Sequence, residues 1–195
     1  MKKNTLNGLI KESVIINFMG GPGVGKSTQS AGLFTEMKKH HMDVEITFEV
    51  AKMIAWEENF SAVKDQFYIT ANQHRNISRL FGKVEYIIVD SPIILGTIYK
   101  DIYNTIPEYP SMFYDSSFDD FLMSLFKKYV SLNIFLKRDD TSYNEKGRFQ
   151  TLHESKIIDE MIMKKLIEHE IPFIEFEINK QTSSNIFDYI KKNKI

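Results

Sequence analysis

The run Gly20-Gly21-Pro22-Gly23-Val24-Gly25-Lys26-Ser27 sets glycines, a lysine and a hydroxyl at the spacing G-x-x-x-x-G-K-[ST]. The chemistry that needs this set is the binding of phosphates. A phosphate chain carries several charges and must be met at close range by several donors. Gly23 and Gly25 let backbone N–H groups turn inward with no Cβ in the way, and Gly21 and Val24 complete the cradle. A helix opening near Lys26 adds its positive end. Lys26 supplies a point charge at the β- and γ-phosphates, and Ser27 offers a hydroxyl to Mg²⁺, a cation that prefers oxygen ligands. Thr28, one position on, is within reach of an α-phosphate. A chance glycine turn fits this run poorly, because a buried strand precedes it and a helix follows. A loop that binds nucleotide and catalyses nothing stays open.

Other residues extend the chemistry from binding to transfer. In open α/β sheets, ligands sit beyond the carboxyl ends of the strands. Asp90 ends the apolar run Ile87-Ile-Val89, where an acid can anchor the magnesium; the alternative is a cap on the turn that follows. Glu49 follows Val44-Glu-Ile-Thr-Phe48 and can orient or deprotonate an acceptor hydroxyl; the alternative is an N-cap for a helix beginning near Val50. Arg138 and Arg148 bracket a polar segment, and arginines that close over a phosphoryl group stabilise the charge developing on it. Lys137 and Lys146 are weaker choices of the same kind. Gln66 and Gln73, seven residues apart, share a helix face and can read a base or amide through paired donor and acceptor atoms. Trp56, Tyr68 and Tyr99 can stack on a flat ring or simply pack, and Tyr103, Tyr109 and Tyr114 flank a proline-bearing loop.

Alternating strands and helices must hold these groups. Strands are predicted at 14–18, 44–48, 84–89, 131–136 and 174–178. Helices are predicted at 27–40, over a long stretch from Phe60 to Leu80, at 118–129, from a Thr151-Leu-His-Glu154 capping box to His169, and at the C-terminus. This alternation argues for a parallel sheet covered on both faces.

The 195 residues suit one domain, 1–195, with a core over about 13–178 and a lid segment over about 138–150. The composition, 43% hydrophobic and 26% charged, is that of an ordinary globular protein. A net charge of −1 gives no general attraction to nucleic acid or anionic membrane, while leaving a local basic groove open. Cysteine is absent, which rules out disulfides and thiolate metal sites and fits a reducing cytoplasm. Met1 to Lys11 lacks the apolar run of a secretory signal, and no stretch approaches the roughly 18–20 apolar residues that span a bilayer. A cytoplasmic location with no membrane partner is the expectation.

Several of these pieces together carry a family resemblance. They are Gly20 to Ser27, Glu49, Asp90 in Ile87-Ile-Val-Asp-Ser91, and the stretch from Phe118-Asp-Asp-Phe121 through Leu136-Lys-Arg-Asp-Asp140 to Gly147-Arg148; Ile171-Pro-Phe-Ile-Glu-Phe-Glu177 adds a last strand. The chain resembles the kinase domain of NadR-type proteins, which phosphorylate nicotinamide riboside, and the wider nucleoside-kinase-like, AAA-type P-loop ATPases. The resemblance implies a three-layer P-loop NTPase fold, a five-stranded parallel sheet in the order 2-3-1-4-5 with helices on both faces. It also implies ATP, Mg²⁺ and a small nucleoside- or nucleotide-like acceptor. Glu49 would then hold the acceptor hydroxyl, and Arg148 would be the lid arginine. Two alternatives stand beside this reading: a kinase acting on a nucleic-acid end or modified base, and a regulatory ATPase or nucleotide-driven switch with no small acceptor.

Overall fold

A computed structural model of the chain describes residues 12–105, 116–139 and 150–195. Its strands are β1 (Val14–Met19), β2 (Val44–Thr47), β3 (Tyr86–Val89), β4 (Ser131–Lys137) and β5 (Ile174–Glu177). Its helices are α1 (Lys26–Lys39), α2 (Val50–Trp56), α3 (Phe60–Lys64), α4 (Gln66–Ser78), α5 (Leu95–Asn104), α6 (Ser116–Lys127), α7 (Leu152–Glu168) and α8 (Thr182–Asn193). Among the described residues the strands form one sheet in the order β2-β3-β1-β4-β5, and every pairing is parallel. The expected architecture and strand order are both found.

The two-residue period of a strand explains the layers. In β1, Ile16 and Phe18 point to one face, where Leu33 and Met37 of α1 and Ile186 and Ile190 of α8 cover them. Met19 points to the other face, among Ile98 of α5 and Ile158 and Ile162 of α7. Ile15, on that same side, packs with Ile77 of α4 and Leu122 of α6. β1, at the centre of the sheet, is buried along nearly its whole length, and so the loop it feeds is held at a fixed place. β5, at the edge, is only half-buried.

Two expectations differ from the structure. The long helix expected from Phe60 to Leu80 is two helices, because the Asp65 side chain turns back to accept the Tyr68 N–H at 3.0 Å and so caps α4. An Asx cap of this kind competes with a continuous helix through the same residue. α5 was not expected at all; it begins three residues after Pro92, with Leu95 and Ile98 against the core. No helix among the described residues is long and apolar enough to cross a membrane.

Leu136 and Ile134 are fully buried on the face covered by α8 and α1. Leu136→Ala is expected to cost about 3 kcal/mol through lost burial and a residual cavity, measured by urea unfolding.

Candidate phosphate-binding and acceptor site

The strand–loop–helix at residues 14–39 is local in origin. β1 ends at Met19, and the chain turns through Gly23 (φ 75°) and Gly25 (φ 97°), left-handed conformations that L side chains rarely adopt. Gly25 occupies the N-cap of α1, so no side chain caps this helix and its first N–H groups face the loop. Lys26 is buried, and its ammonium donates to the carbonyls of Gly20 (2.8 Å) and Gly21 (3.1 Å). Thr28 is exposed on the first turn of α1.

Parallel pairing brings Asp90 to this loop. Asn17 of β1 lies level with Val89 of β3, so both chains leave the sheet at the same end. The Ser27 hydroxyl donates to Asp90 Oδ2 at 2.7 Å across 63 residues of sequence. Asp90 is 2% exposed, and its Oδ1 has no hydrogen-bond partner among the described residues. Burial pushes the Asp90 carboxyl above its ordinary value, while the Ser27 hydroxyl and the Lys26 and Lys52 ammonium groups pull it back. A hydroxyl and a buried carboxylate with an unsatisfied oxygen are a donor set that suits Mg²⁺, which takes one or two carboxylates and fills the rest of its shell with phosphate and water.

Glu49 stands at the N-cap of α2, yet its side chain makes no cap hydrogen bond. The carboxylate is instead felt by the Tyr99 phenol of α5, which burial first, and then the charges of Glu49 and Asp159, hold well above its ordinary value. Thr47 of β2 pairs with Val89 of β3, so Glu49 and Asp90 both lie at the same end of the sheet. Tyr99 stacks on Tyr103 with ring centroids 6.2 Å apart. The spacing of Leu95, Ile98, Tyr99 and Ile102 marks the helix α5, with one face on the core, that carries Tyr99.

Gln66 and Gln73 do share a face of α4, and both are buried, but the structure separates their roles. Gln66 Nε2 donates to the Val63 carbonyl at 3.3 Å, and its Oε1 lies against Gly96 of α5. A Cβ at Gly96 would come within 2.9 Å of Leu122 and 3.3 Å of Thr70 Oγ1, so α4 and α5 are in tight contact there. Gln73 sits beside Ser91, next to Asp90, with Nε2 3.5 Å from the Ser91 hydroxyl, and its Oε1 has no hydrogen-bond partner among the described residues. Thr70 Oγ1, between the two glutamines, is likewise unsatisfied. Trp56 is 79% exposed and Tyr68 about half exposed, so neither is core packing.

Arg138, one of the two arginines expected to close over a transferring phosphate, lies beside the glycine loop. Its guanidinium is buried against the glycine loop, where Nε donates to Asp159 of α7 at 2.8 Å and Nη1 donates to the Pro22 carbonyl at 2.9 Å. Arg148, Lys146, Tyr109 and Tyr114, with most of the expected lid segment, lie outside the described residues.

Comparison with known proteins agrees with this geometry. A family model described as an AAA domain matches residues 15–182. A thymidylate kinase of Dehalococcoides mccartyi is 29% identical over 100 residues, which are 46% of this chain and 47% of that protein. The chain thus spans about half the length of the curated relative it matches. The structure of a NadR protein in complex with NR superposes with a TM-score of 0.65 at 16% identity, over 94% of this chain and 52% of that one. Deoxyadenosine kinase from M. mycoides, solved with dCMP and dCDP bound, superposes with a TM-score of 0.59 at 18% identity, over 93% of this chain and 100% of that one. Both likenesses are likenesses of fold: a P-loop, nucleoside-kinase-like architecture.

The raised Asp90 carboxyl has a sign that can be tested. A folded-state value above the unfolded one favours the protonated form, so ionising the carboxyl weakens the fold, and the penalty grows as pH rises from the ordinary carboxylate range through the raised value. In metal-free buffer at pH 7, Asp90→Asn is expected to raise Tm by a few degrees. The gain should shrink as pH falls into the carboxylate range, followed by calorimetry.

Proposed function

This chain belongs to the AAA-domain family, and on that premise we propose that it is a phosphotransferase that moves the γ-phosphate of ATP to a hydroxyl of a small nucleoside- or nucleotide-like acceptor. The observation that carries the reading is the Ser27–Asp90 contact at 2.7 Å beside the glycine loop, with the uncapped Glu49 carboxylate on the neighbouring strand end. A nucleotide-binding loop alone accounts for the first feature. An acid at the same end of the sheet, with no cap bond to make, is what an acceptor hydroxyl needs in addition.

In this reading the N–H groups of residues 23–28 and the opening of α1 hold the phosphates, and Lys26 moves from the loop's own carbonyls to the β- and γ-phosphate oxygens. Ser27 and Asp90 would hold Mg²⁺, which when bound neutralises charge on those oxygens. Glu49 orients the acceptor hydroxyl and takes its proton as the oxygen attacks the γ-phosphorus. The bond from phosphorus to the β–γ bridging oxygen breaks, and ADP leaves. Gln73, beside Ser91 and with an acceptor atom to spare, is better placed than Gln66 to read the acceptor's edge. Tyr99 and Tyr103 wall the cleft and exclude water, which favours transfer over hydrolysis. Arg148 is retained as the arginine that closes over the transferring group. The activities named for the thymidylate kinase and deoxyadenosine kinase relatives, and the NR held in the NadR structure, support a nucleoside- or nucleotide-like acceptor.

The test is ADP formation from ATP and Mg²⁺ against a panel of acceptors: nucleosides, deoxynucleosides, their monophosphates, nicotinamide riboside, and short DNA and RNA. One small acceptor should raise the rate well above the acceptor-free rate. Glu49→Gln should lower kcat by about 10²–10⁴-fold, and Lys26→Ala should remove turnover. A rate that rises only with DNA or RNA would move the assignment to a polymer-end kinase. A rate that is identical with every acceptor and with none would make the protein an ATPase or switch.

A further inference from the structure

Asp159 is a charged group in mid-α7 that the transfer reading does not use, yet it is tied directly to the phosphate-binding loop. One of its carboxylate oxygens accepts the Gly21 N–H, and the other accepts Arg138 Nε–H at 2.8 Å. Arg138 then returns to the loop one residue on, donating Nη1–H to the Pro22 carbonyl at 2.9 Å. These three bonds close a ring through the Gly21–Pro22 segment, the end of β4 and α7. Both side chains are largely withdrawn from water, 6% exposed for Arg138 and 16% for Asp159. The approach is close: a Cβ on Gly21 would lie 2.6 Å from the Ser155 carbonyl of α7 and 3.0 Å from Asp159 Oδ1. The carbonyls of Gly20 and Gly21, in this same segment, receive the Lys26 ammonium.

We propose that Asp159 and Arg138 are a positioning pair for the phosphate loop: Asp159 fixes the Gly21 peptide that seats Lys26, and Arg138 cancels the Asp159 charge that would otherwise repel the incoming phosphates. This rests on the reading that the loop binds a nucleoside triphosphate. A carboxylate placed against an anion-binding loop weakens that loop unless a cation is paired to it, and a guanidinium with a bond to each of two partners supplies the cation in a fixed geometry. Neither residue touches the substrate; both act through the loop.

The pair predicts an asymmetry that a plain structural bridge does not. Arg138→Met leaves the carboxylate uncompensated, and so should weaken MgATP binding by about tenfold or more. Asp159→Asn keeps an oxygen for the Gly21 N–H and leaves a positive charge, so its effect should be smaller. Adding Asp159→Asn to Arg138→Met should recover part of the lost affinity, and Arg138→Lys should retain most of it. Binding is measured by titrating a fluorescent ATP analogue with Mg²⁺ into each full-length variant, with a thermal melt to show that each is folded. Steady-state kinetics run alongside should show the change in KM for ATP, with KM for the acceptor held. A drop in kcat at saturating ATP for Arg138→Met, with no rescue by Asp159→Asn, would make Arg138 a transfer arginine and overturn the pairing. Affinities that follow melting temperature alone would reduce the pair to a structural bridge, which also overturns it. If the wild type binds no nucleotide while Lys26→Ala behaves identically, the phosphate-transfer reading fails first and this inference with it.

Discussion

Everything at the strand ends depends on one constraint: backbone amides must converge on a concentrated negative charge without collapsing onto each other. A loop of free peptides would lose its order to solvent, and the entropy of fixing it would fall on every binding event. Here the order is in place beforehand. β1, buried at the centre of the sheet, sets where the loop starts, and α1 sets where it ends. Left-handed turns at Gly23 and Gly25 shape the middle. Lys26 holds the loop from inside through two carbonyls, and Asp159 with Arg138 holds it from outside through the neighbouring N–H and C=O groups.

The second element of the site is a charge kept where charge is costly. Asp90 is almost wholly buried, and among the described residues only one of its oxygens is satisfied, by Ser27. Burial of a carboxylate with an unpaired oxygen opposes folding, and such arrangements persist where a ligand repays them. The unsatisfied Thr70 and Gln73 atoms on α4 belong to the same pattern: polar groups withdrawn from water on the helix that runs past Ser91. Stability and function pull in opposite directions along this edge of the sheet, while the apolar layers beneath it hold the frame.

The legible parts of the sequence were those with a local physical signature. The glycine loop, Asp90 at the end of an apolar run and the Thr151 capping box each follow from a few adjacent residues, and the structure has the box's reciprocal bonds. The strand order came from likeness to a family, because periodicity says which residues form strands and nothing of how the strands are ordered. Failures arose where a side chain competed with the backbone or a role needed a distant partner. Asp65 interrupts a continuous apolar period by capping α4. Asp159 reads as an ordinary surface acid of a helix until Gly21, 138 residues away, is placed against it. Arg138 reads only as one edge of a polar segment, because its partners lie far off in sequence, on α7 and at Pro22.

The most direct test follows the phosphorus atom itself. ATP carrying a labelled γ-phosphate would be mixed with excess protein, Mg²⁺ and a pool of nucleosides and nucleoside monophosphates, and the products separated after a single turnover. The account predicts label in an organic phosphate ester, with an equal amount of ADP and little inorganic phosphate. Label found only as inorganic phosphate, whatever the pool contains, would contradict it and leave a nucleotide hydrolase built on the same loop.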